Sequence, residues 1–147
     1  MPTELEKLLE ELSSMDRNER TQVLLELSDE FQEVPGGVAT RPFPEENRVQ
    51  RCESQAYVWA EDQPDGTLKF HFAVENPQGI SARAVSVVLD ETLSGKPLED
   101  VASVSSDIVF TMFGRELSMG KGEGLSGIVS LVAGAAKRRL EERSAQG

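Results

Sequence analysis

Gln55-Ala56-Tyr57-Val58-Trp59-Ala60-Glu61, the turn Gln63-Pro64-Asp65-Gly66, and Leu68-Lys69-Phe70-His71-Phe72-Ala73-Val74-Glu75 decide the architecture of this chain. In the first run Tyr57, Trp59 and Glu61 alternate with Ala56, Val58 and Ala60; in the second Leu68, Phe70, Phe72 and Val74 alternate with Lys69, His71, Ala73 and Glu75. Two period-two, β-rich runs about a Pro-Asp-Gly turn predict a hairpin. A turn that pairs Trp59 with Phe70 brings the aromatic faces of both strands together and makes them the core side of a sheet.

Outward from the hairpin the period becomes helical. After Pro77, the residues Ile80, Ala84, Val87, Val88 and Leu93 share a stripe closed by Gly95 and Pro97, which predicts a helix. Two short helical pieces follow, one opening at Pro97 and one from about Asp107 to Phe113. A last helix is expected from about Glu123 to Glu142, with Leu125, Ile128, Val129, Val132 and Leu140 inward and Lys137, Arg138 and Arg139 in its final turns, where cations complement the helix dipole.

Upstream, Thr3 and Glu6 have capping-box spacing before Leu5, Leu8, Leu9 and Leu12, a helix ending near Ser13 and Ser14. Asp16 and Glu19 repeat the signature before Val23, Leu24, Leu27 and Phe31. From Val34 to Asn47, three prolines and two glycines leave no period, and a loop of that length tends to be functional or mobile. There is no internal repeat. The expected fold is one α+β domain over residues 1–147: a small antiparallel sheet with helices, placed before and after it in sequence, packed on one face.

The 147 residues carry 15 Lys and Arg against 26 Asp and Glu, a net charge of −11. Such acidity argues against non-specific binding to nucleic acid or anionic membrane, both of which need an excess of Lys and Arg. The acidity concentrates at the N-terminus, where residues 1–34 hold 10 acidic and 3 basic side chains, a solvated face or a docking surface for a basic partner. One cysteine forbids an intrachain disulfide. One cysteine and one histidine exclude a zinc or iron–sulfur site built mainly from those residues within the chain. No bound cofactor or metal is expected. The first twenty residues are acidic and lack an apolar core, and Gly124 to Ala136 is too short to span a bilayer, so a cytoplasmic location is expected.

Cys52 lies between the irregular segment and the first strand, in Arg48-Val49-Gln50-Arg51-Cys52-Glu53-Ser54-Gln55. Free cysteines are commonly small buried hydrophobes. These neighbours describe a polar loop end, and the Arg51 guanidinium favours thiolate over thiol. A hydrolytic pair with His71 fails on geometry: opposite Val58 in the predicted register, His71 lies six residues along the strand, about 20 Å away. Leu117-Ser118-Met119-Gly120-Lys121-Gly122-Glu123-Gly124-Leu125 has neither phosphate-loop nor dinucleotide-loop spacing. It reads as a loop before a helix, one that could present Lys121 to a partner or to Cys52.

Together these residues resemble the SufE family, sulfur-acceptor partners of cysteine desulfurases in iron–sulfur cluster assembly. The resemblance runs from about residue 24 to 140. Val49-x-x-Cys52-x-Ser54-Gln55 looks like the family's Val-x-Gly-Cys-x-Ser-Gln motif. The hairpin, Leu93-Ser94-Gly95-Lys96-Pro97-Leu98, and Leu117-Ser118 with Gly124-Leu125 follow in the family's order. Arg51 stands where the family usually has glycine, Tyr57 where it has tryptophan, Lys121 where it has arginine, and Glu123 at an asparagine place.

The resemblance implies a SufE/IscU-like fold and a sulfur carrier, not a stand-alone enzyme. It implies that Cys52 takes persulfide sulfur from a SufS-like, pyridoxal-phosphate-dependent cysteine desulfurase, stimulates that enzyme, and passes the sulfur to a SufBCD-like scaffold. Arg51, Ser54, Ser118 and Lys121 are the expected supporting residues, and Cys52 is expected to rest inward against the glycine-rich stretch and swing out on docking. A module that tethers or activates a desulfurase without carrying sulfur is the alternative, and a homodimer is left open.

Overall fold

The computed structural model describes residues 1–114 and 117–146. Two helices, α1 (Thr3–Ser14) and α2 (Arg17–Asp29), lead through an irregular segment with one 3-10 turn (Glu45–Asn47) to the strands β1 (Ala56–Asp62) and β2 (Leu68–Val74). Then come α3 (Ile80–Leu93), α4 (Leu98–Ala102), α5 (Ile108–Phe113) and α6 (Met119–Gln146). The order and type of elements agree with the pattern reading, and the class is α+β: a two-stranded antiparallel sheet with helices packed against it.

The register differs from the expectation by one residue. Trp59 pairs with His71, and Ala60 with Phe70. The cause is the turn. The Gly66 N–H donates to the Gln63 carbonyl at 2.9 Å, and the Gln63 N–H donates to the Thr67 carbonyl at 2.9 Å, so three residues lie in the loop and not two. The extra one is Gly66, whose φ of +88° suits glycine and forms the bulge that follows a type I turn.

A one-residue shift sends a strand's side chains to opposite faces. Phe70 and Phe72 therefore share a face with Val58 and Ala56 and pack under the helices. Tyr57 and Trp59 instead form a second cluster on the other face, with Ala73 and with Val34 and Phe43 of the irregular segment. Phe43 meets both aromatic rings at centroid distances of 5.1–5.2 Å, edge-on to Trp59. The segment read as a functional or mobile loop is thus a packed cover. The Val34 N–H donates to the Phe72 carbonyl at 2.8 Å, and Arg41 bridges Glu33 and Glu75.

The main core lies between the sheet and α3, α5 and α6, with Phe70, Leu68, Leu89, Leu93, Met112, Leu125 and Ile128 fully enclosed. α3 is buried on more than the predicted stripe, being packed against β2, α2 and α6, while Ile80 at its start is exposed. Its buried hydroxyls are satisfied within the helix, Ser86 donating to the Ala82 carbonyl and Thr92 to that of Val88. Asp16 caps α2 by accepting the Glu19 N–H at 2.9 Å. α1 begins differently: Pro2 occupies its N-cap position, and the Thr3 hydroxyl expected to cap is already inside the helix.

α6 is the largest departure. It starts at Met119, four residues before the expected Glu123, and takes in Gly120 and Gly122, which were expected in a loop. Glycine inside a helix costs about 1 kcal/mol relative to alanine. Close approach offsets that cost at Gly122, Gly124 and Gly127, whereas Gly120 faces open space. A Cβ on Gly122 would lie 3.0 Å from the Phe110 ring, one on Gly124 3.1 Å from Cys52 Cα, and one on Gly127 2.7 Å from Val49 Cγ1. At its other end α6 runs on to Gln146, so Lys137, Arg138 and Arg139 are not its last turn. Arg139 pairs with Asp62 at 2.8 Å, and Arg143 donates to the Gly66 carbonyl at 2.7 Å, tying the helix to the hairpin turn.

Candidate functional site

Cys52 sits at the start of a tight turn on the surface of this core. The Gln55 N–H donates to the Cys52 carbonyl at 3.1 Å, and the turn is flanked by two left-handed residues, Arg51 (φ +58°) and Gln55 (φ +54°). It docks on the residues after β2: the Glu75 N–H donates to the Gln55 carbonyl, the Asn76 N–H to that of Ser54, and the Asn76 side-chain amide to that of Glu53, all at 3.1–3.2 Å. Gly79 and Gly124 close on it from two sides. A Cβ on Gly79 would fall 3.1 Å from Ser54 Cβ and 2.6 Å from Val74 Cγ1. Cys52 is 7 % exposed, with its Cα and Cβ set against Gly124 of α6.

A cleft of about 180 Å³ is lined by Cys52. Ser54 and Lys121, both expected near the thiol, line it. The other two supporting residues do not. Arg51 turns outward, 80 % exposed on its side chain, with its guanidinium 3.8 Å from the Glu123 carboxylate. Ser118 immediately precedes α6, its hydroxyl accepting the Lys121 N–H at 3.3 Å, and lines a neighbouring hollow that shares Lys121. Asn76 and Gln78 also line the cleft and were missed. Their signal was Asn76-Pro77-Gln78-Gly79, which reads only as a turn until the fold sets it beside Cys52. His71 is remote from the thiol, facing Glu61 at 3.1 Å across the strands.

The Arg51 backbone has a measurable consequence. A non-glycine residue in the left-handed region costs about 1–2 kcal/mol. Glycine relieves that strain but gives part back through the entropy of the unfolded chain, about 0.4–1 kcal/mol. The exposed pair with Glu123 adds little. Arg51→Gly is therefore expected to raise unfolding stability in urea by about 0.5–1 kcal/mol, and a loss of stability would show that the guanidinium holds the turn.

Fold and site together define an α+β protein with a single inward-lying thiol at a turn clamped by a glycine-bearing helix. The model of the SufE family, the Fe–S metabolism associated domain, matches residues 6–136, and the chain belongs to that family. Its place is accordingly in iron–sulfur metabolism. The fold is similar to the solution structure of a hypothetical protein from Thermus thermophilus, with 24% identity, a TM-score of 0.76, and coverage of 96% of this chain and 98% of that one. No curated protein matches the chain. Among the described residues no helix is long and apolar enough to cross a membrane, and no three His, Cys, Asp or Glu side chains are grouped to hold a metal ion.

Proposed function

We propose that this chain is a sulfur acceptor. Cys52 takes sulfur from the cysteine persulfide of a SufS-like cysteine desulfurase and passes it to an iron–sulfur scaffold of the SufBCD-like kind. The observation that carries the reading is the position of the chain's one cysteine, buried at the edge of the main core on a hydrogen-bonded turn and lining a cleft.

In the transfer the Cys52 thiol loses its proton to water, and the thiolate attacks the donor's terminal sulfur. A new S–S bond forms at Cys52, the donor's S–S bond breaks, and the donor cysteine leaves as a thiolate, so no external oxidant or reductant is consumed. The tucked thiol must first move outward. The turn's left-handed ends and its contacts with α6 at Gly124 and, through the exposed Arg51, at Glu123 suit a short rigid-body swing, with the hydrogen bonds to Glu75 and Asn76 breaking.

Intact-mass measurement after incubation with a cysteine desulfurase and cysteine tests this. Wild type is expected to gain sulfur and Cys52→Ser none. No gain on wild type, or an equal gain on the variant, sinks the proposal. Cys52→Ala is expected to lose stimulation of the desulfurase, and full stimulation by it would favour a tethering module.

A further inference from the structure

The cleft at Cys52 is one of three hollows that share walls. Through Lys121 it adjoins a hollow of about 290 Å³ lined by Arg17 and Arg20 of α2 and by Ser118, with Leu24, Phe113 and Leu117 among its apolar walls. That hollow in turn shares Thr21, Leu24, Ser81 and Phe113 with an apolar one of about 200 Å³, where Leu25 and Ile80 stand 40% and 44% exposed.

The middle hollow is chemically unlike the rest of the molecule. On a chain of net charge −11, three cationic side chains line it, and among the described residues no carboxylate does. Neither Arg17 nor Lys121 enters an ion pair among the described residues. Arg17 is the first residue of α2, and Lys121 lies in the first turn of α6, so the positive ends of two helix dipoles add to the cationic charge. A carboxylate entering this hollow would meet complementary charge, and an apolar side chain two or three residues away would reach the Leu25–Ile80 hollow.

We infer that the row of hollows is the surface that grips the sulfur donor, and that it takes a segment of the donor protein bearing an acidic side chain beside an apolar one. The acidic group enters between Arg17 and Lys121, the apolar one enters between Leu25 and Ile80, and the donor's persulfide is thereby set against the third hollow, at Cys52. The inference rests on Cys52 being the acceptor, and it adds the chemistry of the partner.

The test is the dissociation constant for the same cysteine desulfurase, measured by calorimetry at several salt concentrations, with sulfur capture read by mass on the same samples. Arg17→Glu is expected to weaken binding about tenfold and to flatten its salt dependence, since charge complementarity sets both. Leu25→Ser is expected to weaken it several-fold. Lys137→Glu makes the same change in net charge 16 residues along α6, about 24 Å from Lys121, and is expected to stay within about twofold.

Equal losses in Arg17→Glu and Lys137→Glu overturn the inference, whether or not sulfur is captured. Selective loss in Arg17→Glu supports it even where wild type captures no sulfur, an outcome that would instead overturn Cys52 as acceptor. Titration with sodium phosphate, followed by amide shifts, covers the remaining occupant. Saturation of shifts at Arg17 and Lys121 with no effect on desulfurase binding makes the hollow a small-anion site and overturns the docking role.

Discussion

Replacing Gly124 by valine is expected to destabilise the protein by about 2–3 kcal/mol and to raise the rate at which iodoacetamide alkylates Cys52 by about tenfold or more. Gly124 stands where α6 crosses the Cys52 turn. Even a single Cβ there lies 3.1 Å from Cys52 Cα and 3.2 Å from the Arg51 carbonyl oxygen. One methyl already demands a few tenths of an ångström, and the two Cγ atoms of valine need space the turn occupies. Overpacking of this kind typically costs about 1–3 kcal/mol.

Helix propensity works the other way, since valine is the better helix former by a few tenths of a kcal/mol. Any loss therefore comes from the contact. Two routes relieve the clash, a shift of α6 or an outward swing of the turn. The turn is the smaller body, held by a few backbone hydrogen bonds, so the thiol is expected to emerge before the helix moves. Gly124→Ala separates the two effects. Its clash is mild and its propensity gain about 1 kcal/mol, so it should be near neutral in stability while still speeding alkylation modestly. Unchanged alkylation in Gly124→Val would show that the helix contact does not keep Cys52 inward.

The same contact marks where pattern reading succeeds and where it stops. The helices and strands were legible because each buries a face with its own period, and the turn at Cys52 was legible because arginines, glutamate and serine are not core composition, although Cys52 itself is buried at the edge of the main core. The start of α6 was placed four residues late because, taken locally, the alternate Gly120, Gly122 and Gly124 disfavour a helix. The approach of Phe110 to Gly122, of Cys52 to Gly124 and of Val49 to Gly127 explains why a side chain there would be worse than none, and nothing in the structure explains Gly120. Asn76 and Gln78 were missed for a related reason: they reach the thiol through the hydrogen bonds that dock two loops, a relation with no period. The cationic hollow is of the same kind. Arg17 and Arg20 lie about a hundred residues from Lys121 in sequence, and segment charge made the N-terminal helices look acidic throughout.

Phe70→Ala is expected to cost about 3–5 kcal/mol, the largest effect of any single truncation in the sheet, with no selective change at the irregular segment. Phe70 is 1% exposed and belongs to the core shared with α3 and α6, whose helices are braced by other contacts and collapse poorly into the space a ring leaves. Trp59, although larger, is on the opposite face among Tyr57, Phe43, Val34 and Ala73. Its cover is a chain segment tied by the Val34 hydrogen bond, the Arg41 pairs and aromatic edges. Trp59→Ala should therefore cost less, about 2–3 kcal/mol, and should open residues 34–44 to protease while amides of α3 and α6 keep their hydrogen-exchange protection.

The contrast tests the register itself. Had Trp59 paired with Phe70 on one core face, both truncations would hollow the same core and lose protection in the same helices. Global loss of protection in Trp59→Ala, or selective opening of residues 34–44 in Phe70→Ala, would return the hairpin to the two-residue turn. The bulge at Gly66 forbids that turn, because its extra residue shifts β2 by one against β1 and so assigns the two pairs of rings to opposite faces.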